Sequence, residues 1–197
     1  MEEIPRVSFL KTNTVEIEFE IFPLSSLLSR RHRLDPSINT PHRLDFYNIM
    51  FITDGSGVHQ VDFQPCVFSA GSAIFISKGQ VQAFDVDSNY DGFLILFTEA
   101  FLSKNLIHSD LLSFYRLYNF HLHTPVVSPD AIESDVFRTI VNQIYLEYTD
   151  VDNFAKEEIL RLFLKLLLLK AERIKRTAIA EEKNADRFLR FGIFQNL

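Results

Sequence analysis

Few residues in this chain could do chemistry. There are six histidines and one cysteine among 197 residues, and most stand alone. Cys66 follows Pro65 with no basic neighbour to lower its pKa, so a nucleophilic thiolate is not expected there. A single cysteine can form neither an intrachain disulfide nor a cysteine-rich zinc site. Ser56 lies between glycines in Asp54-Gly55-Ser56-Gly57. A nucleophile elbow needs a strand before it and a helix after it, and this tetrapeptide reads as a hairpin turn. His121 and His123 have no acids beside them, His32 and His108 are isolated, and no glycine-rich phosphate loop is present. What remains is the stretch from His42 to Phe84, where His42, His59, Asn48 and Gln82 stand among alternating apolar residues. Imidazoles and amides in such a frame could ligate a metal or hydrogen-bond a small organic ligand.

The elements that would position them follow from side-chain periodicity. Thr14 to Phe22 sets Val15, Ile17, Phe19 and Ile21 against Glu16, Glu18 and Glu20, a strand with one wet and one buried face. Further strands are expected at about 46–53, 57–64, 73–77, 81–86 and 92–98, with the first two joined through the Asp54–Gly57 turn. After Thr98 the period becomes helical. Asp110 to Phe120 carries apolar residues at helical spacing, and Ser128-Pro129-Asp130 reads as a helix start with a serine cap and proline in the first turn. A second long helix is expected from about Asp152 or Asn153 to Thr177. Strands first and helices afterwards define an α+β chain, an N-terminal antiparallel β-barrel followed by a helical hairpin.

Composition narrows the partners. A formal net charge of −6 argues against a nucleic-acid surface spread over the whole chain. Twenty phenylalanines suit an enclosed core or an apolar pocket. The acidic start has no secretory pattern, and Arg161, Lys165 and Lys170 interrupt the leucine-rich segment, which falls short of a membrane span. A cytoplasmic location follows. That segment is apolar nearly all round its middle, so it must be covered on more than one side. We expect a homodimer through Leu160, Phe163, Leu164 and Leu167.

The order and spacing of Tyr47, Ile49, Phe51, Gly55, Gly57, His59, Val61, Asp62, Gly71, Ile76, Gly79, Gln80 and Val81 resemble the N-terminal domain of AraC-type transcriptional regulators, a cupin barrel with a helical hairpin. The resemblance implies a cupin-like, effector-binding barrel over residues 1–98 and a helical dimerisation region over 99–177. It also implies a linker and the start of a DNA-binding domain over 178–197. Cupin enzymes hold a divalent metal with three histidines and a glutamate, a set suited to iron, manganese, nickel or zinc. Laid on this sequence, those ligands fall at His42, Leu44, Asn48 and Gln82, so one of four remains and neither a metal nor another cofactor is expected. The cupin register would turn His42, Leu44, Asn48, Met50 and Gln82 inward.

What the resemblance implies is an effector-sensing and dimerisation domain and not an enzyme. Its small-molecule effector would be met by His42, Asn48, Met50, His59 and Gln82. DNA would be bound only through a helix-turn-helix domain, for which the residues from Arg187 onward are too few. The alternative is a cupin-fold isomerase or dioxygenase with an irregular metal site on His42 and His59.

Overall fold

The structure, a computed structural model, describes residues 4–9, 17–34, 36–104, 118, 124–128, 130–151 and 154–194. His108, His121, His123, Pro129, the first residues of the Thr14–Phe22 strand, and the helical pattern of Asp110 to Phe120 apart from Tyr118 lie outside the described residues. Strands β1 (Arg6–Val7) and β2 (Phe19–Pro23) precede helix α1 (Leu24–Arg30) and a 3-10 turn at Arg31–Arg33. Strands β3 (His42–Leu44), β4 (Tyr47–Val61), β5 (Gln64–Ser69), β6 (Ala73–Ile76), β7 (Val81–Ala83) and β8 (Tyr90–Phe97) follow. Helix α2 (Glu99–Ser103), β9 (Val126–Val127), α3 (Ala131–Thr149) and α4 (Lys156–Phe194) complete the described elements.

Strand β4 organises the sheet. Its first half pairs with β6 and β8, and its second half pairs with β5 and β7. Beyond these, β2 extends the sheet from β8, β9 from β6, and β3 from β7. Every pairing is antiparallel except β1 with β3, which is parallel, so the sheet is mixed and curls into a half-barrel. The helices follow at its C-terminal end, which gives the α+β class.

Asp54-Gly55-Ser56-Gly57 does not turn the chain back. It lies inside the continuous strand β4, where the pairing with β8 passes from Ile52 opposite Gly92 to Asp54 opposite Asp91. Two residues of β4 thus oppose one of β8, the mark of a β-bulge. Gly55, at φ 79°, supplies the left-handed backbone conformation beside it. The reversal falls instead at Asp62 and Phe63, with φ of 48° and 64°, a two-residue connection of the kind that favours positive φ at both positions. Asp62 Oδ1 accepts from Val81 N–H at 3.0 Å and Oδ2 from Gln80 Nε2 at 2.8 Å, which ties this turn to β7.

Two apolar clusters lie on the two faces of the sheet. Tyr47, Ile49 and Phe51 of β4 face the helices, where Phe137, Ile140, Val141 and Ile144 of α3 and Leu160, Leu164 and Leu167 of α4 meet them. Met50 and Ile52 face the barrel interior with Leu44, Ile74, Phe84 and Leu94. Thr98 caps α2, accepting from Phe101 N–H at 3.2 Å. The cap of α3 is Asp130, accepting from Glu133 N–H at 2.9 Å, and not Ser128, so this helix begins at Ala131. Over 178–197, where a linker and the start of a DNA-binding domain are expected, α4 continues as helix to Phe194. No helix among the described residues is long and apolar enough to cross a membrane.

The leucine-rich helix differs from expectation in which of its faces is free. Leu160 and Leu164 are wholly buried within one protomer, Leu167 nearly so, and Phe163 packs partly buried against the same cluster. The barrel and α3 cover Leu160, Leu164 and Leu167 within the protomer and leave Phe163 partly open. The leucines left open to solvent are Leu162, Leu166 and Leu169.

Two outcomes follow. Leu164→Ala is expected to lower the unfolding free energy by about 2–5 kcal/mol, the cost of a core cavity, read by urea denaturation. Gly92→Ala should prevent stable folding, because an added Cβ would meet Phe51 O at 2.0 Å. An unchanged urea midpoint for Gly92→Ala would contradict this close approach.

Candidate functional site

The polar side chains of the interior come from β3, β4 and β7. His42 lies opposite Gln82 across β3 and β7, and Gln82 opposite Val61 across β7 and β4. Directly opposed residues share a face of the sheet, and His59, two residues before Val61, shares it too. Asn48 reaches this face only because of the bulge. It lies eleven positions before His59, an odd offset that in a regular strand would place the two on opposite faces. The extra residue in β4 restores the parity.

The four side chains are joined through Gln82. Gln82 Nε2 lies 3.2 Å from His42 Nε2, and Gln82 Oε1 lies 3.1 Å from His59 Nε2 and 3.4 Å from Asn48 Nδ2. His42 Nδ1 is 2.9 Å from the Thr40 carbonyl. All four are buried, His59 and Asn48 completely. The His59 ring meets Phe84 edge-on, with centroids 4.8 Å apart. Met50 is buried in the surrounding apolar lining. His42, Asn48, Met50, His59 and Gln82, the five residues singled out in the sequence, therefore meet in one interior.

Burial makes this centre uncharged. It pushes the His59 imidazole down to about 4, against the opposing effect of the Gln82 hydrogen bond and with a further push from His42. It lowers His42 as well, partly offset by the Thr40 carbonyl. Both rings are neutral at pH 7.

Residues outside the sequence pattern close one mouth of the barrel. Leu24 of α1 and Ile38 are buried in the interior cluster, and Leu27, Leu28 and Leu34 pack partly buried against it. Phe84 N–H donates to Ile38 O at 2.8 Å. The Thr40 carbonyl held by His42 belongs to this covering segment. It is a backbone acceptor in a stretch without periodicity, so no sequence signal marks it.

The Nε2 atoms of both histidines are engaged by one carboxamide and no carboxylate joins them, and among the described residues no group of three His, Cys, Asp or Glu is placed to hold an ion. A groove of about 1260 Å³ opens elsewhere, beside α4, lined by Arg43, Cys66, Val67 and Lys175 among others. Burial lowers Lys175 to about 8 there, while Glu172 raises it. The buried polar centre lies inside the barrel and not in this groove, and it is the better candidate because its groups converge.

A curled half-barrel with an uncharged polar centre, a covered mouth and a helical layer on its back is a cupin-like domain. The chain belongs to the AraC-like ligand-binding domain family, whose sequence profile matches residues 24–164. Solved structures that the chain matches include the AraC-like transcriptional activator CuxR (14% identity, 64% of this chain and 42% of that one, TM-score 0.41). Apo ToxT from Vibrio cholerae is another (12% identity, 80% of this chain and 57% of that one, TM-score 0.43). The EutQ protein of Clostridium difficile matches a shorter part (24% identity, 30% of this chain and 49% of that one, TM-score 0.27). The chain thus spans about half the length of the regulators it resembles. No curated protein sequence matches it.

The low His59 value links stability to pH. Between the ordinary histidine value of 6.5 and about 4 the unfolded chain binds the proton and the folded one does not, so stability falls as pH falls through that window. Over 2.5 units the loss from His59 is on the order of 3 kcal/mol. His59→Gln should flatten the wild-type decline between pH 7 and pH 4 by that amount in urea denaturation; parallel curves would show that His59 is not held neutral.

Proposed function

We propose that this chain is the effector-sensing part of an AraC-like transcriptional regulator. A small molecule binds in the barrel among His42, Asn48, Met50, His59 and Gln82, and two chains associate through α4. The observation that carries the reading is the convergence of these five side chains in one buried, uncharged interior. An apolar lining with a few fixed polar groups suits an organic ligand. The same set lacks the carboxylate and the third imidazole of the cupin metal site, so the domain is read as a metal-free binding module and not a catalyst. DNA, in this reading, is contacted by a helix-turn-helix unit and not by the barrel.

The contact between copies lies on the outer side of α4. Leu162, Leu166 and Leu169 are 58%, 43% and 44% exposed, and their spacing of four and three residues aligns them in one stripe. A stripe of this kind is the seam of a helix pair. The effector signal would pass from the His42–Thr40 contact to the covering segment and from the sheet to the helices behind it.

Two measurements test this. A screen of small molecules by thermal shift should find a ligand that, at about 100 times its Kd, adds about 2.7 kcal/mol of stability, some 5–10 °C for a domain of this size. Sedimentation should show a dimer at micromolar concentration that Leu162→Asp with Leu166→Asp converts to a folded monomer. A wild-type monomer would remove the association from the reading and leave the binding site standing.

A further inference from the structure

We infer that the ligand of this barrel presents an uncharged hydrogen-bond donor, a hydroxyl or a neutral N–H, to His59 and Asn48, and that a carboxylate is excluded from that position. The inference rests on the effector-binding reading above and adds the chemistry of the ligand's polar end.

The proton positions can be traced from one fixed point. A backbone carbonyl only accepts hydrogen bonds. The Thr40 oxygen, 2.9 Å from His42 Nδ1, therefore requires the proton of neutral His42 on Nδ1. His42 Nε2 is then a bare acceptor, and the group 3.2 Å from it must be the amino end of the Gln82 carboxamide. That turns Gln82 Oε1 toward the other side, where it accepts from His59 Nε2 at 3.1 Å and from the Asn48 amino group at 3.4 Å. His59 consequently carries its proton on Nε2. Its Nδ1 is left as an open lone pair, and so is the Asn48 oxygen.

Both of those atoms are fully buried and have no hydrogen-bond partner. Buried polar atoms are ordinarily paired, and an orphan calls for an unseen partner. Here the two orphans are of one kind, both acceptors. A donor satisfies them; a carboxylate at that position would set further lone pairs against two open acceptors and bring a negative charge with no cation among these side chains to offset it. An ammonium would bring a charge with no carboxylate among these side chains to neutralise it. The rest of the lining, Leu44, Ile52, Phe84 and Leu94 with Met50, is apolar. Met50, unbranched and adaptable, is the member of that lining best able to yield space. The ligand class is therefore a mostly apolar, neutral molecule with a hydroxyl or N–H at one end.

The test pairs probes that differ only at the polar end: phenol against benzoate, and 1-heptanol against heptanoate, at pH 7.5. Thermal shift reports binding, and the ring nitrogen resonances of histidine-labelled protein report the tautomers. We expect His59 to show a protonated Nε2 and a bare Nδ1 before any ligand is added. At least one alcohol should raise the melting temperature and move the His59 Nδ1 resonance, with no shift from the matching acid. Asn48→Leu, which replaces one acceptor by an apolar group of similar size, should weaken the alcohol at least tenfold. If that variant does not fold, the nitrogen resonances of the wild type still decide.

A proton on His59 Nδ1, or tighter binding of the acids inside the barrel, would overturn the inference while leaving the effector reading in place. So would an effector found by the wider screen that leaves His59 Nδ1 unmoved. Failure of both alcohols to bind would overturn it too, assigning the open acceptors to a trapped water; only failure of the wider screen as well would remove the effector reading.

Discussion

The structure depends on one extra residue in one strand. Strand β4 runs for fifteen residues through both halves of the curled sheet. The bulge between Ile52 and Asp54 reverses which of its side chains face the interior. Before it the even positions Asn48, Met50 and Ile52 point inward; after it the odd positions His59 and Val61 do. Without that shift, His59 would leave the interior and Gln82 would lose one of its partners. The freed geometry is supported from outside. Arg138 of α3 donates to the Thr53 carbonyl, and Asp91 Oδ1 accepts from Ser25 N–H and Gly92 N–H.

Much of this is legible in the sequence, and the failures have physical causes. Alternation within each half of β4 fixes which residues share a face, so the inward set His42, Leu44, Asn48, Met50 and Gln82 can be read once the barrel is recognised. The Thr98 cap is legible because its chemistry is local. The hairpin is misplaced because glycine marks turns and bulges alike, while the actual reversal uses Asp62 and Phe63, of which phenylalanine carries no turn signature. The stretch from Thr177 reads as a linker by its polarity, yet Ala178, Ala180, Glu181, Glu182 and Lys183 are good helix formers, and the helix runs on. The leucines of α4 show that much surface must be covered. They do not show which face the protomer covers itself.

The interior illustrates how neutrality can be built from titratable parts. Two imidazoles lie within reach of one carboxamide, where burial holds both uncharged. A carboxylate or guanidinium there would need a paired counter-charge. Charge is kept to the helical layer. There Arg161, although buried, donates to the Phe101 carbonyl and pairs with Glu157 and Glu158. One compartment is thus polar without charge, and the other buries the Arg161 guanidinium against two carboxylates.

A mechanical consequence follows from the two clusters sharing one wall. Tyr47, Ile49 and Phe51 press on the helices from the same backbone that carries Met50 and Ile52 on its other side. Protein interiors are close-packed and compress little. Strand β4 is therefore a diaphragm between two filled chambers. Swelling on one side has to be taken up by displacement on the other.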